Sequence, residues 1–141
     1  MTRPNPEFDL ERWQKHGNYS GELDATPRGE CLYVKWKCPA DGGVHPDAIS
    51  DLKQLVEAFP LFVLNISTMS FLPSDRLSVY LTLNRLAKKS GGCFVLSGAD
   101  STADRILRFA KLDTQIAMAK NDRAAEMLVM EHRQSQMGGE I

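Results

Sequence analysis

One serine stands where a hydroxyl could carry regulatory chemistry. Ser74 follows Pro73 and opens a run, Asp75 to Lys89, whose apolar residues recur at helical spacing. At the head of a helix the first backbone N–H groups lack intrahelical partners and the dipole is positive, which favours an anion. A phosphate on Ser74 would add about −1.5 to −2 charges at that point. Asp75 would repel it and Arg76 would attract it, so the neighbouring residues leave the sign open. The same hydroxyl can also serve simply as a helix cap, worth about 1 kcal/mol.

Other reactive residue types do not assemble into a pattern. Ser67, Ser74 and the three histidines (His16, His45 and His132) give no Ser–His–acid constellation, so hydrolase activity has no warrant in these residues. The histidines are far apart and share no ligand spacing with Cys31, Cys38 and Cys93, so no metal or other cofactor is expected. Three cysteines without a C-x-x-C pair point to reduced thiols rather than a disulfide scaffold. Along an extended strand Cys31 and Cys38 would lie about 23 Å apart, against less than about 7 Å for a disulfide. Gly91-Gly92 follows a helical run rather than a strand, which makes it a turn and not a phosphate loop. Met127, Met130 and Met137 read as core filling and a fraying end, with an adaptable partner groove as the other option.

These residues sit in a chain of 141, enough for one domain, with 43% hydrophobic and 25% charged residues. Such a composition excludes collagen-like and wholly disordered chains. Lys and Arg number 17 against 18 Asp and Glu, a net charge of −1. That balance exerts no long-range pull on nucleic acid or an anionic membrane, and leaves a protein or a small molecule as partner. No stretch has the roughly 18 apolar residues of a membrane span, and Met1 to Gln14 lacks a signal peptide's apolar core. A cytoplasmic location is expected.

The elements that must position Ser74 follow from periodicity and punctuation. Residues 1–17 read as a partly ordered extension whose Phe8, Leu10 and Trp13 could dock on a domain spanning 18–133. Tyr19 to Leu23 and Cys31 to Cys38 suggest an antiparallel hairpin turning through Asp24 to Gly29. Pro46 opens a helix to Ala58, and Leu61 to Ile66 is a central strand covered on both faces. After the Ser67–Ser74 loop and the Ser74-headed helix, Cys93 to Ser97 forms another strand. Ser101 with Asp104 resembles a capping box for a short helix facing Ile106, Leu107, Phe109 and Ala110 inward. Gln115 to Met118 is a weak edge strand, Asn121 or Asp122 caps a last helix, and 134–141 is a flexible tail. The fold class is therefore α/β: a mixed sheet with an N-terminal antiparallel hairpin, then parallel strands, and about four helices.

The segment Phe62-Val-Leu-Asn-Ile-Ser-Thr-Met-Ser-Phe-Leu-Pro-Ser-Asp-Arg-Leu77 resembles the signature of the STAS domain (sulfate transporter and anti-sigma factor antagonist). That family reads as an apolar strand ending Asp-Leu-Ser, a loop with an apolar pair, then Asp-Ser-Ser-Gly-Leu opening a helix. Ala87-Lys-Lys-Ser-Gly-Gly-Cys-Phe-Val-Leu-Ser-Gly-Ala99 resembles the family's basic helix end, turn and next strand, and Ile106 to Asp113 its leucine-rich helix. The likeness spans about residues 30 to 130. Asn65 stands where the family has Asp, Pro73 where Asp precedes the phosphorylated serine, and Arg76 where Gly follows.

The resemblance implies a STAS-like fold and a standalone, non-enzymatic regulator resembling an anti-sigma factor antagonist. Ser74 would be its phosphoacceptor, and Ser67, Ser74, Asp75, Arg76 and Ser78 its partner contacts. The implied partner is an anti-sigma factor that is also a serine kinase. Two alternatives are a STAS subunit docked on a transporter ATPase of the phospholipid-transport type, and a small-ligand-binding STAS domain using the crevice at the strand ends.

Overall fold

Leu61 to Leu64 are consecutive apolar residues, and each is at most 1% exposed. A strand can be apolar at every position only when both its faces are covered. The computed structural model, which describes residues 4–16, 23–37, 46–68 and 74–138, places this strand at the centre of a five-stranded sheet. The elements run α1 (Leu10–His16), β1 (Leu23–Arg28), β2 (Cys31–Trp36), α2 (Pro46–Ala58), β3 (Leu61–Asn65), α3 (Ser74–Lys89), β4 (Cys93–Ser97), α4 (Ser101–Phe109), β5 (Ala117–Ala119) and α5 (Asp122–Gly138). A short 3₁₀ turn, Leu112–Thr114, precedes β5. Spatial order follows chain order, with β1–β2 antiparallel and the other three pairs parallel.

Register divides the strand residues between two layers. Leu32, Val34, Trp36, Phe62, Leu64, Phe94 and Leu96 join Leu52, Leu55, Val56, Tyr80, Leu83 and Leu107 in the larger core. Phe62 and Phe94 are direct neighbours in register and stack with centroids 5.9 Å apart. The alternate residues Cys31, Tyr33, Leu61, Val63 and Val95 pack on Ala125 and Val129 of α5.

Several expectations are corrected. Asp24 to Arg28 is strand rather than turn, and of the expected strand Tyr19 to Leu23 only Leu23 lies among the described residues. The reversal needs only Gly29 and Glu30, because Gly29 adopts φ +61°. Pro27 is tolerated since β1 is an edge strand, where a missing N–H costs no ladder bond. The N-terminal segment contains a fifth helix, with Trp13 in the core and Phe8 edge-on to Phe59 at 6.0 Å. Asn5 N–H donates to the Ala58 carbonyl (2.7 Å) and Gln14 Nε2 to that of Ala25 (2.7 Å).

At α4 the cap is Asp100, whose carboxylate accepts Ala103 N–H at 2.8 Å. Asp104 instead pairs with Arg108 at 2.9 Å. Ala103 and Leu107 form the buried line, so Phe109 points about 200° away and is 91% exposed. Ala110 is exposed as well. Likewise Ala125 and Val129 are the buried line of α5, leaving Met127 and Met130 outside at 62% and 54% exposure. The last helix continues through Gly138, past residue 133.

Leu64 is fully buried in β3, so Leu64→Ala is expected to cost about 2–5 kcal/mol in denaturant unfolding. Cys31 and Cys93 flank Leu61 in register. Two strand spacings put them about 9–10 Å apart, beyond disulfide reach, and non-reducing peptide mass spectrometry should find no bond between them. Burial pushes the Cys31 thiol up to about 12 and also raises Cys93. Raised thiol values mean that the unfolded chain releases protons first as pH climbs. The thiols' contribution to stability should therefore be level below about pH 8 and be lost from about pH 9 upward. A Cys31→Ala variant unfolded at pH 7 and pH 10 should show a smaller loss.

Candidate functional site

The polar features lie where β3 and β4 end. Ile66 N–H still donates to the Ser97 carbonyl (2.9 Å), but the next amide, Ser67 N–H, donates to the side-chain Oδ1 of Asn65 (2.9 Å). The other end of that amide, Nδ2, donates to Oδ1 of Asp122 (3.0 Å), the first residue of α5. The fully buried Ser97 also donates its hydroxyl to Asp122 Oδ1, at 2.6 Å. Gly98, at φ +79°, closes the cluster: a Cβ there would stand 3.1 Å from Ser67 Cβ and 3.4 Å from Asn65 Oδ1. Asn65 thus donates to a carboxylate supplied by another element.

A second anchor is Trp36 at the end of β2. Its carbonyl accepts the Thr68 hydroxyl (3.0 Å), and its ring carries the Arg76 guanidinium, 3.8 Å from the centroid. Tyr80 meets the same ring edge-on at 6.2 Å. Arg76 is 0% exposed, which corrects its assignment as a surface contact. The reason is its position in the stripe Arg76, Val79, Tyr80, Leu83 and Ala87, the inward face of α3. A planar guanidinium can lie flat on an indole and keep its charge there. Tyr80, buried beside it, has its phenol pushed up by desolvation, which Arg76 opposes.

The other expected contacts are on the outside. Ser67, Ser74, Asp75 and Ser78 are all exposed, and Ser74 is the first residue of α3. Residues 69–73, including Pro73, lie outside the described residues. Ser78 Oγ donates to the Ser74 carbonyl (3.2 Å) and Thr82 Oγ1 to that of Ser78 (3.0 Å), so these hydroxyls are tied along the helix surface. Asp75 accepts Arg76 N–H at 3.2 Å. With Arg76 turned inward, Asp75 is the charge that stands beside Ser74 on the surface. At the other end of α3, Asn84 and Lys88 both donate to the Gln115 carbonyl (3.1 and 3.3 Å), binding the helix to the approach to β5.

Sequence reasoning missed Asp122 and Trp36 as parts of this site. Asp122 is 57 residues from Asn65, and only a helix-cap role was legible there. Trp36 has no local signal beyond strand alternation. The crevice at the strand ends is an open hollow of about 360 Å³ lined by Asp100, Ser101, Asp104, Arg108 and Lys120. No helix among the described residues is long and apolar enough to cross a membrane.

No family model matches the sequence, and no curated protein matches it. Solved structures do. The crystal structure of a Thermotoga maritima protein described as an anti-sigma factor antagonist superposes with a TM-score of 0.62 at 16% identity, covering 77% of this chain and 94% of that one. Its NMR structure gives 0.63 at 16% identity, over 75% and 86%. An anti-sigma-factor antagonist (STAS) domain protein of Planctomyces limnophilus gives 0.60 at 10% identity, over 77% and 97%. The chain has a STAS-like fold, with the mixed sheet and the helix headed by Ser74 that the resemblance implied.

The Arg76–Trp36 contact has a measurable consequence. Arg76→Ala should destabilise the protein by roughly 2 kcal/mol or more in urea unfolding, the scale of a desolvated cation–π contact. Arg76→Lys should recover little of it, since an ammonium cannot stack in the same way. Asp75→Ala, on the exposed face, should stay within about 0.5 kcal/mol.

Proposed function

We propose that this chain is a cytoplasmic regulatory module of the anti-sigma factor antagonist type, acting by binding another protein rather than by catalysis. Its contact surface is the Ser67 turn together with the outer face of the first turns of α3: Ser74, Asp75 and Ser78. Its switch is phosphorylation of Ser74. The observation that carries this reading is the exposed hydroxyl of Ser74 at the head of a 16-residue helix, within a fold shared with proteins described as anti-sigma factor antagonists.

The geometry also supports a sign for the switch. Arg76 is engaged with Trp36 in the core, whereas Asp75 is exposed beside Ser74. A phosphate would therefore add to negative charge already at the surface and would have to be desolvated when a partner packs there. Phosphorylation then opposes binding. The implied partner is a serine-kinase anti-sigma factor, which would both bind the hydroxyl form and modify it.

The test uses the serine-kinase anti-sigma factors encoded in the same genome, each incubated with the full chain and ATP. Mass spectrometry should place phosphate on Ser74. In calorimetry Ser74→Ala should bind about as tightly as the wild type, and Ser74→Asp and Ser74→Glu at least about ten-fold more weakly, a difference of about 1.4 kcal/mol. A purely structural role in the first turn of α3 predicts a different pattern: the variants differ in stability only, and Ala and Asp bind equally. That outcome would reject the switch. Binding to a transporter ATPase regardless of the residue at 74 would instead select the transport-subunit reading.

A further inference from the structure

We propose that Asp122 is a positioning residue for this contact surface: its carboxylate sets the orientation of the Asn65 amide, which in turn holds the Ser67 turn. The inference rests on reading that turn as part of the contact surface.

Three features of the geometry support it. Asp122 is not needed as the cap of α5, because Asn121 Oδ1 already accepts the Ala124 N–H at 2.8 Å. Instead its Oδ1 receives hydrogen bonds from two strands, from Ser97 at 2.6 Å and from Asn65 at 3.0 Å. The Asn65 amide has one orientation that satisfies both its ends. Nδ2 must face the carboxylate and Oδ1 must face Ser67 N–H, since a flip would set oxygen against carboxylate and NH₂ against N–H. Finally, Ser67 is the first residue beyond the sheet ladder. Ile66 N–H is held by the Ser97 carbonyl, whereas Ser67 N–H depends on the side chain of Asn65. Asp122 therefore acts on the turn through Asn65, from the opposite end of the chain.

An aspartate at 65 could not do this while Asp122 is present, because two carboxylates would meet where a donor now meets an acceptor. Exchanging the two residues restores one donor and one acceptor, and leaves an oxygen at 65 for Ser67 N–H. The exchange pair is thus the discriminating test.

Amide hydrogen exchange should be followed by NMR on the full chain for Asn65→Ala, Asn65→Asp, Asp122→Ala, Asp122→Asn and the double variant Asn65→Asp/Asp122→Asn. In the first three the Ser67 amide should exchange about ten-fold faster, the upper scale of a lost neutral hydrogen bond, while the Val95 amide in β4 is unchanged. The double variant should return to within about three-fold of wild type. Asp122→Asn keeps the shape and removes only the charge; it is the variant to read if Asn65→Asp fails to fold, and its loosening should be smaller than that of Asn65→Ala. An unchanged Ser67 amide in Asn65→Ala and Asp122→Ala, or a double variant no better than Asn65→Asp alone, would overturn the proposal.

Affinity for the serine-kinase anti-sigma factor should fall and recover across the same series. Exchange that recovers without affinity following it would reduce Asp122 to a brace of the strand ends and overturn the positioning role. Failure of the wild-type chain to bind any such kinase would overturn the reading of the surface instead, and the exchange series would still decide whether Asp122 holds the turn.

Discussion

Covering β3 on both faces is the constraint from which the rest of the molecule follows. Leu61 to Leu64 are interior at every position, so Asn65 is the first residue of the strand free to be polar. Parallel pairing on both sides brings the neighbouring strand ends, Lys35 and Ser97, into register with it. The chain must leave the sheet at this edge to reach α3, and backbone groups that lose ladder partners there need side chains to take their place. Asn65 meets that need for Ser67, and Asp122, which also accepts the Ser97 hydroxyl, holds the Asn65 amide.

Helix α3 serves two purposes at once, separated by its faces. Arg76, Tyr80 and Asn84 look inward, to Trp36 and the Gln115 carbonyl, and hold the helix against the sheet. Ser74, Asp75 and Ser78 look outward. Under the proposed function such a base matters, because a rigid scaffold would turn an added charge into a change in affinity rather than local rearrangement. The buried guanidinium is the less obvious part of that arrangement. Its burial leaves Asp75 exposed beside Ser74, which is the basis of the repulsive sign proposed for a phosphate there.

How much was legible beforehand depended on the range of the interaction responsible. The apolar run of β3, the Pro46–Ala58 helix, the parallel strands and Ser74 at the head of α3 are written in local periodicity and punctuation, and the family resemblance rested on those same local runs. Errors fell where a residue's environment is set by distant partners. Asp24 to Pro27 looked like a turn because Pro and Gly punctuate turns, yet an edge position makes proline acceptable in a strand. Phe109, Met127 and Met130 looked like core because they are apolar, although the buried lines of α4 and α5 pass through Ala103–Leu107 and Ala125–Val129.

The amino-acid sequence by itself determined the order of elements from β2 onward, the burial of the central strands and the serine that heads the third helix, because each is encoded within a few residues by helical or strand spacing. Tertiary structure alone decided that Arg76 lies within the core and that Asn65 answers to Asp122. A charged side chain is stable inside only if partners are brought to it, and here one of them, the ring of Trp36, comes from 40 residues upstream. An amide chooses its orientation only when its partners are in place, and the carboxylate that settles it arrives with the last helix.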